Sequence, residues 1–549
     1  MDFKVKVFGE ERTYSKKISL LEMLGEEAEK KEFVAAKVNN RVRSLDYEVY
    51  YDAEVEFLTL SDHEAMKMYE ASLRYVIAMA FASIYPNIKI RFAYNVSRCI
   101  SIHILTPGVA SNTAMLIKIN HEIERIVAAD YPLKRIIVTN EEAAKIYEER
   151  GFDDKLEILA YRPEKTVHIV ECNGYINYMY THLVPSTGYV KYYKLRLYTP
   201  GILVQYPRSE EGGKIPALVA EPTYGRTLKE SHDWAKIVGV DTVARINDEI
   251  KTAGPIEFIN VCEQRINRQL TELGQLIEDD ISDIRLICIA GPSSSGKTTF
   301  ANRLRIELLS RGIRPVRIST DDYYVDREKT PLGDDGQPDY ESIDALDLET
   351  FNQNMLDLIS GDEVSLPKFD FESGKRVKGR TLKLSPEEPI IIEGIHALND
   401  QLTAAIPRAN KFKIFISPQA QINLDDHNPV SLTDLRLIRR LVRDRKFRGT
   451  SGEDTLRLWP KVRQGEFKWI YSTQEGSDYV FNSFMPYELP LMKKYAMPLL
   501  QNIDKESPSY PDAARLTKML KYFIDMSDEW VPSNSLMREF IGGSCFEDV

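Results

Sequence analysis

With 549 residues the chain exceeds what one hydrophobic core organises, and several domains are expected. Its 43% hydrophobic and 28% charged content is that of a globular protein in water, and apolar runs such as Leu286 to Ala290 fall far short of a membrane span. A formal net charge of −11 argues against wholesale coating of nucleic acid, and the five cysteines (Cys99, Cys172, Cys262, Cys288, Cys545) form no CxxC pair, which argues against a zinc ribbon or a disulfide framework.

The opening stretch, MDFKVKVFGEERTYSKK, reads as an alternating strand and turn without the apolar core and cleavage site of a signal peptide, so a cytoplasmic protein is expected. Residues 1–60 alternate at Phe3, Val5 and Val7, pass through a short helix, and alternate again in FVAAKVNN and AEVEFLTL, a small β-grasp pattern. From Asp62 to Ala82, Met66, Met68, Leu73, Val76, Ile77 and Phe81 have helical spacing and open an α+β unit over 61–220. Residues 221–280 carry the helix patterns of a connector. From 281 to 505, short runs apolar on both faces (IRLICIA, PVRIST, PIIIEGI, KFKIFIS) alternate with helices, which predicts a parallel sheet covered on both sides. Residues 506–549 read as a mostly helical tail.

Within the third unit, Gly291-Pro292-Ser293-Ser294-Ser295-Gly296-Lys297-Thr298 matches GxxxxGK[ST] and lies between a strand and an amphipathic helix. Glycines let backbone N–H groups approach phosphates, the helix N-terminus adds its dipole, Lys297 supplies charge, and the Thr298 hydroxyl suits Mg²⁺; Thr299 continues the cradle. ATP and Mg²⁺ are therefore the expected cofactors. Transfer to an alcohol also needs acids near the acceptor and the metal. PVRIST ends at Asp321 and Asp322, and PIIIEGI delivers Glu393. Asp321 is the candidate base and metal neighbour, unless the Asp pair only caps a turn; Glu393 fits a second metal-side carboxylate. Arg436, Arg439, Arg440 and Arg443 fall at i, i+3, i+4 and i+7, with Arg445 and Arg448 following. One guanidinium face suits a lid over a transferring phosphoryl group; a solvated face, or docking of Asp425, Asp426 and Asp434, is the other reading.

Taken in order, GPSSSGKTT, STDDYY, DYESIDALDL, LPKFDF, IIIEGIHAL and RRLVRDRKFRG resemble the uridine kinase and phosphoribulokinase family over about 285–500. The resemblance implies Asp321 as catalytic and metal-associated acid, Glu393 as second acid, Tyr324 beside a nucleoside, and Arg440 and Arg443 as lid arginines, with Arg448 near the acceptor. Glu341 stands where pyrimidine nucleoside kinases hold an aspartate on the ribose, and Phe369 and Gly374 stand where a tyrosine and a histidine read the base. Loss of both polar readers leaves base identity open.

Residues 1–60 resemble the TGS domain, and 62–205 the editing-type domain of threonyl-tRNA synthetases, most clearly in VPSTGYVKYYKL. The HxxxH helix of those synthetases is replaced by Ala71 and Tyr75, and only His182 remains near the later Cys/His pair; His63, His103, His121 and His168 do not rebuild it, so no editing chemistry and no zinc are expected. The whole order, ending in REFIGGS, resembles bacterial chains described as nucleoside or uridine kinases.

The resulting fold class is α/β: a P-loop kinase domain with a parallel sheet flanked by helices, preceded by β-grasp and α+β domains. The expected function is ATP-dependent phosphorylation of a nucleoside 5′-hydroxyl. A kinase of another small alcohol or sugar phosphate, and an RNA-binding regulatory protein with a nucleotide switch, are the alternatives. Acids interleave with bases in GEEAEKKEF and EEAAKIYEER, which weighs against RNA binding. The N-terminal half then reads as a regulatory or assembly module; no membrane or DNA partner is expected, and a homo-oligomer stays open.

Overall fold

The computed structural model describes residues 2–547, apart from 95, 334–335, 371–372 and 386. Strands Glu10–Tyr14, Phe3–Val7, Ala53–Thr59, Phe33–Val38 and Arg41–Arg43 form one sheet in that order. Alternation in Phe3–Val7 buries Phe3, Val5 and Val7 and leaves Lys4 and Lys6 in solvent, as a sheet with one wet face requires. Helix α1, His63–Ile84, follows and ends before Pro86, whose ring disfavours helix at the preceding residue. Apart from half-buried Lys67, α1 is buried from Ala65 to Phe81, because sheets and helices surround it, and its charged residues Glu70 and Arg74 pair with each other at 2.8 Å.

Strand Thr166–Cys172 shows how the two halves of the chain share interior. Its period of two sends Val167 and Ile169 into the core of the C-terminal half and Val170 and Cys172 into that of the N-terminal half. A hairpin, Asn423–Asp425 with Asn428–Pro429, reaches back the other way. Buried Asp425 pairs with buried Lys155 at 3.1 Å, Asp426 with Arg91 at 2.6 Å, and Asn428 caps the N–H of Tyr180 at 2.9 Å.

In the C-terminal half, β1 (Leu286–Ala290) is buried throughout and leads to α3 (Lys297–Ser310). With β2 (Val316–Ser319), β3 (Ile390–Glu393), β4 (Lys411–Ser417) and β5 (Tyr479–Asn482) it forms a parallel sheet of order β2-β3-β1-β4-β5. Helix α2, Pro255–Asp279, packs on α3 through the buried Arg303–Glu263 pair at 3.3 Å. Helix α4, Leu432–Phe447, starts two residues after the hairpin, with Ser431 accepting from the Asp434 N–H. The tail is less helical than its sequence predicts: among its described residues, α5, Tyr510–Leu520, and one turn, Arg538–Ile541, are the helices. Pro532 and the positive φ of Gly542 and Gly543 hold the rest in turns, yet Leu536, Met537, Phe540 and Ile541 are fully buried. Among the described residues, no helix is long and apolar enough to cross a membrane.

Candidate functional site

The loop between β1 and α3 sits at the carboxyl end of the central strand, where an open parallel sheet leaves a crevice. Two glycines are required there. A Cβ on Gly291 would lie 2.0 Å from the Ile416 carbonyl oxygen on β4, and Gly296, the N-cap of α3, has φ +91°. The buried hydroxyls of Ser294, Ser295 and Thr299 have no hydrogen-bond partner, so donors that folding has removed from water stand ready for a phosphate. Lys297 Nζ donates to the carbonyls of Gly291 at 3.0 Å and Pro292 at 3.3 Å. Burial lowers its pKa, against the opposing fields of Glu393, Glu539 and Asp321.

Asp321 lies in a 3-10 turn, Thr320–Tyr323, directly after β2, and Glu393 ends β3 beside Ser319 and Ile289. Burial raises the carboxyl of Asp321, with Lys297 opposing. Burial, and then repulsion by Asp321, push Glu393 up to about 7. Two buried carboxyls, one raised by repulsion from the other, suit a hard divalent cation, which would remove that repulsion, and Thr298 stands in the first turn of α3. Asp322 is turned away and accepts the Phe369 N–H at 3.4 Å.

Next to these acids lies an aromatic wall. Tyr324 and Phe369 meet edge-on with centroids 5.7 Å apart, and the Tyr324 hydroxyl donates to the Tyr340 carbonyl at 3.2 Å. Glu341 follows, pushed up to about 7 by burial and then by Glu466, while Arg440 and Lys297 oppose the shift. Gly465 permits its approach, since a Cβ there would be 2.7 Å from the Glu341 Cβ. At Gly374, φ is +68° and a Cβ would fall 2.9 Å from Arg327 Nε, so any larger residue displaces that arginine.

The arginine face divides in two. Buried Arg436 donates to the Ser293 carbonyl at 2.9 and 3.1 Å and to Glu466, whose other partner is Arg463. Glu466 in turn accepts the Ser293 N–H at 3.1 Å; burial works to raise its pKa, but the two guanidiniums hold it below the ordinary carboxylate range. Buried Arg439 pairs with buried Glu488 and reaches the Ser294 carbonyl at 3.3 Å. These two arginines brace the loop's backbone from behind and are not open to a lid role. Arg440 remains at the site, donating to Ser293 Oγ at 2.8 Å; Arg443 pairs with Asp444 at 2.7 Å, and the more exposed Arg448 lies 3.6 Å from the same carboxylate. Asp425, Asp426 and Asp434 are engaged elsewhere, by Lys155, Arg91 and Arg515.

Sequence reasoning missed Glu466, Glu488 and Glu539. Glu539 accepts the Thr299 N–H at 3.0 Å, so a carboxylate from the tail holds a first-turn donor of α3 that a phosphate would otherwise use. Leu536 lies beside it, 3.7 Å from where a Cβ on Gly296 would be. The only signal was an acid in a segment to which no role had been given. Glu539→Gln is expected to tighten ATP binding by roughly fivefold, the size of a charge effect at a helix N-terminus. Titration calorimetry with ATP measures it, and unchanged or weaker binding would show that Glu539 does not compete.

Comparison with known proteins gives a match of residues 286–488 to the model described as "Phosphoribulokinase / Uridine kinase family". A uridine kinase of Staphylococcus haemolyticus (strain JCSC1435) is 30% identical over 182 residues, covering 33% of this chain and 79% of that protein. One of Mycoplasma genitalium is 30% identical over 177 residues, covering 32% and 74%. A solved structure titled "Structure of a Possible Uridine Kinase from Bacillus stearothermophilus" is 20% identical and covers 38% of this chain and 99% of that chain at a TM-score of 0.22, too low to bear on the argument.

Proposed function

Since the chain belongs to the Phosphoribulokinase / Uridine kinase family, we propose that it transfers the γ-phosphoryl group of ATP to the 5′-hydroxyl of a nucleoside. Phosphotransfer itself follows from the membership; the nucleoside is the finer reading. The observation that carries it is the meeting of Asp321 with Lys297 at the phosphate loop, one turn from the Tyr324–Phe369 wall. An acid raised by burial is a better proton acceptor than an exposed one. In this reading Asp321 takes the hydroxyl proton, the 5′ oxygen bonds to the γ-phosphorus, and the bond to the β–γ bridging oxygen breaks to release ADP. Lys297 and Arg440 offset the charge that develops. Mg²⁺, when bound, supplies charge neutralisation between the phosphates, and Thr298, Asp321 and Glu393 would hold it.

Tyr324 and Phe369 offer a base flat apolar contact, and Glu341 offers a carboxylate to the ribose hydroxyls. An ADP-release assay across a nucleoside panel tests the reading; folded protein that binds ATP but turns over no nucleoside sinks it. The acid at 341 adds a pH signature. Its carboxylate is ionised above about 7 and neutral below, so acceptor KM is expected to rise as pH falls through that value. Glu341→Gln should flatten the profile, and an unchanged profile would remove Glu341 from sugar recognition.

A further inference from the structure

Away from the phosphate loop, a cavity of about 540 Å³ lies where strands Lys134–Thr139 and Thr166–Cys172 face α5. Arg43, Arg135, Arg162, Lys518, His168 and His182 line it. Arg135 Nη1 is 3.0 Å from His182 Nδ1; an arginine can only donate, so that nitrogen accepts. Lys518 Nζ lies 4.2 Å over the ring of Tyr180 and donates to the same residue's carbonyl. Arg162 donates to the Thr166 carbonyl at 2.9 Å and the Tyr522 hydroxyl at 2.5 Å. The buried Nδ1 of His168 and Nε of Arg43 have no hydrogen-bond partner.

The cavity is also lined by Glu64, Glu70 and Asp434, but Glu70 pairs with Arg74 at 2.8 Å and Asp434 and Glu64 lie against Arg515, so little negative charge is left for this cluster. Glu164 is 3.9 Å from Arg162 Nη2 but also 3.8 Å from Lys521 Nζ, and Asp46 contributes only a field at Arg135. Most of the hydrogen bonds made by the cations go to neutral oxygens. Burial, then Arg162 and Arg135, bring Lys518 down to about 7; burial, then Arg135, bring His168 to about 4 and His182 to about 3. Repelling cations gathered in a cavity destabilise the fold unless an anion neutralises them. Contrast Arg515, which lines the same cavity but is matched by Asp434 and Asp512.

The structure assigns to this cavity a binding site for a small phosphate-bearing anion, held by Arg135, Arg162 and Lys518. Guanidinium forks and an ammonium beside tyrosine rings suit a phosphate group, free or carried by a nucleotide. The site is separate from the kinase reading: its residues belong to the N-terminal half and α5. Because Arg515 on α5 also bonds Asp434 in the first turn of α4, the cavity abuts the helix that braces the phosphate loop.

The test uses the full chain carrying Lys297→Ala, which weakens phosphate binding at the kinase loop. Melting temperature is followed with inorganic phosphate and, separately, AMP. Phosphate is expected to raise it; a response to AMP alone would place the nucleotide as the source of the phosphate. Adding Lys518→Met should raise the melting temperature in phosphate-free buffer, since one repelling cation is gone, and weaken anion binding by roughly tenfold or more. Arg135→Met, on an exposed strand, should weaken binding likewise with no risk to folding. No response to either anion, or the same response in all three chains, overturns the assignment.

Discussion

Asp321→Asn is expected to lower kcat by about 10²–10⁴-fold, the usual worth of a positioned proton acceptor, with ATP binding changed by no more than a few-fold. Asparagine keeps the shape of the turn after β2 and removes the proposed base, which is also a candidate metal ligand. Asp322 provides the internal control. It is adjacent in sequence, but its carboxylate is spent on the Phe369 N–H, so Asp322→Asn should alter stability more than chemistry. An ADP-release assay at saturating ATP, paired with ATP titration calorimetry, separates the effects. Full activity in Asp321→Asn, or collapse in Asp322→Asn alone, would move the chemistry to a different acid.

The second large effect is on folding. Lys155→Met is expected to cost about 3–5 kcal/mol, because it strands the buried Asp425 carboxylate without its cation. Asp425 would keep only the Asn428 amide and the His427 N–H, at 2.8 Å each. Pairing the change with Asp425→Asn should recover part of the loss, since the most deeply buried charge is then gone, while Asp154, 3.3 Å from Lys155, still lacks its cation. Lys229→Met, at an exposed pair with Asp233, should shift stability by no more than about 0.5 kcal/mol. Urea unfolding followed by circular dichroism reads all four chains, and equal losses at Lys155 and Lys229 would refute the argument.

Legibility followed the range of the interactions. The loop at 291–298 could be read because its chemistry is local: glycines, a lysine and a threonine act within one turn of chain. Asp321 and Glu393 could be nominated because a run of buried strand residues announces its own carboxyl end. The arginines show the limit. Helical spacing put Arg436, Arg439, Arg440 and Arg443 on one face, but what that face meets depends on Glu466 and Glu488, tens of residues later in the chain. Two of the four therefore turned out to be braces. Strand Thr166–Cys172 was not singled out in the sequence, and its apolar residues on both faces do not say that each face enters a different core. The tail misled in the same way: its apolar residues suggested helix, while proline and paired glycines fold them into turns that bury them just as well.

The burial of Leu536, Phe540 and Ile541, together with the packing of α2 on α3, decides where this protein can be cut. A fragment bounded by the family match would leave the outer face of α3 bare and Arg439 without the Phe540 ring that lies 5.1 Å away. A fragment that keeps these contacts must therefore run through 541, and a start as late as 255 would still strand buried Asp425 without Lys155, so interior contacts and not likeness to shorter enzymes set the span.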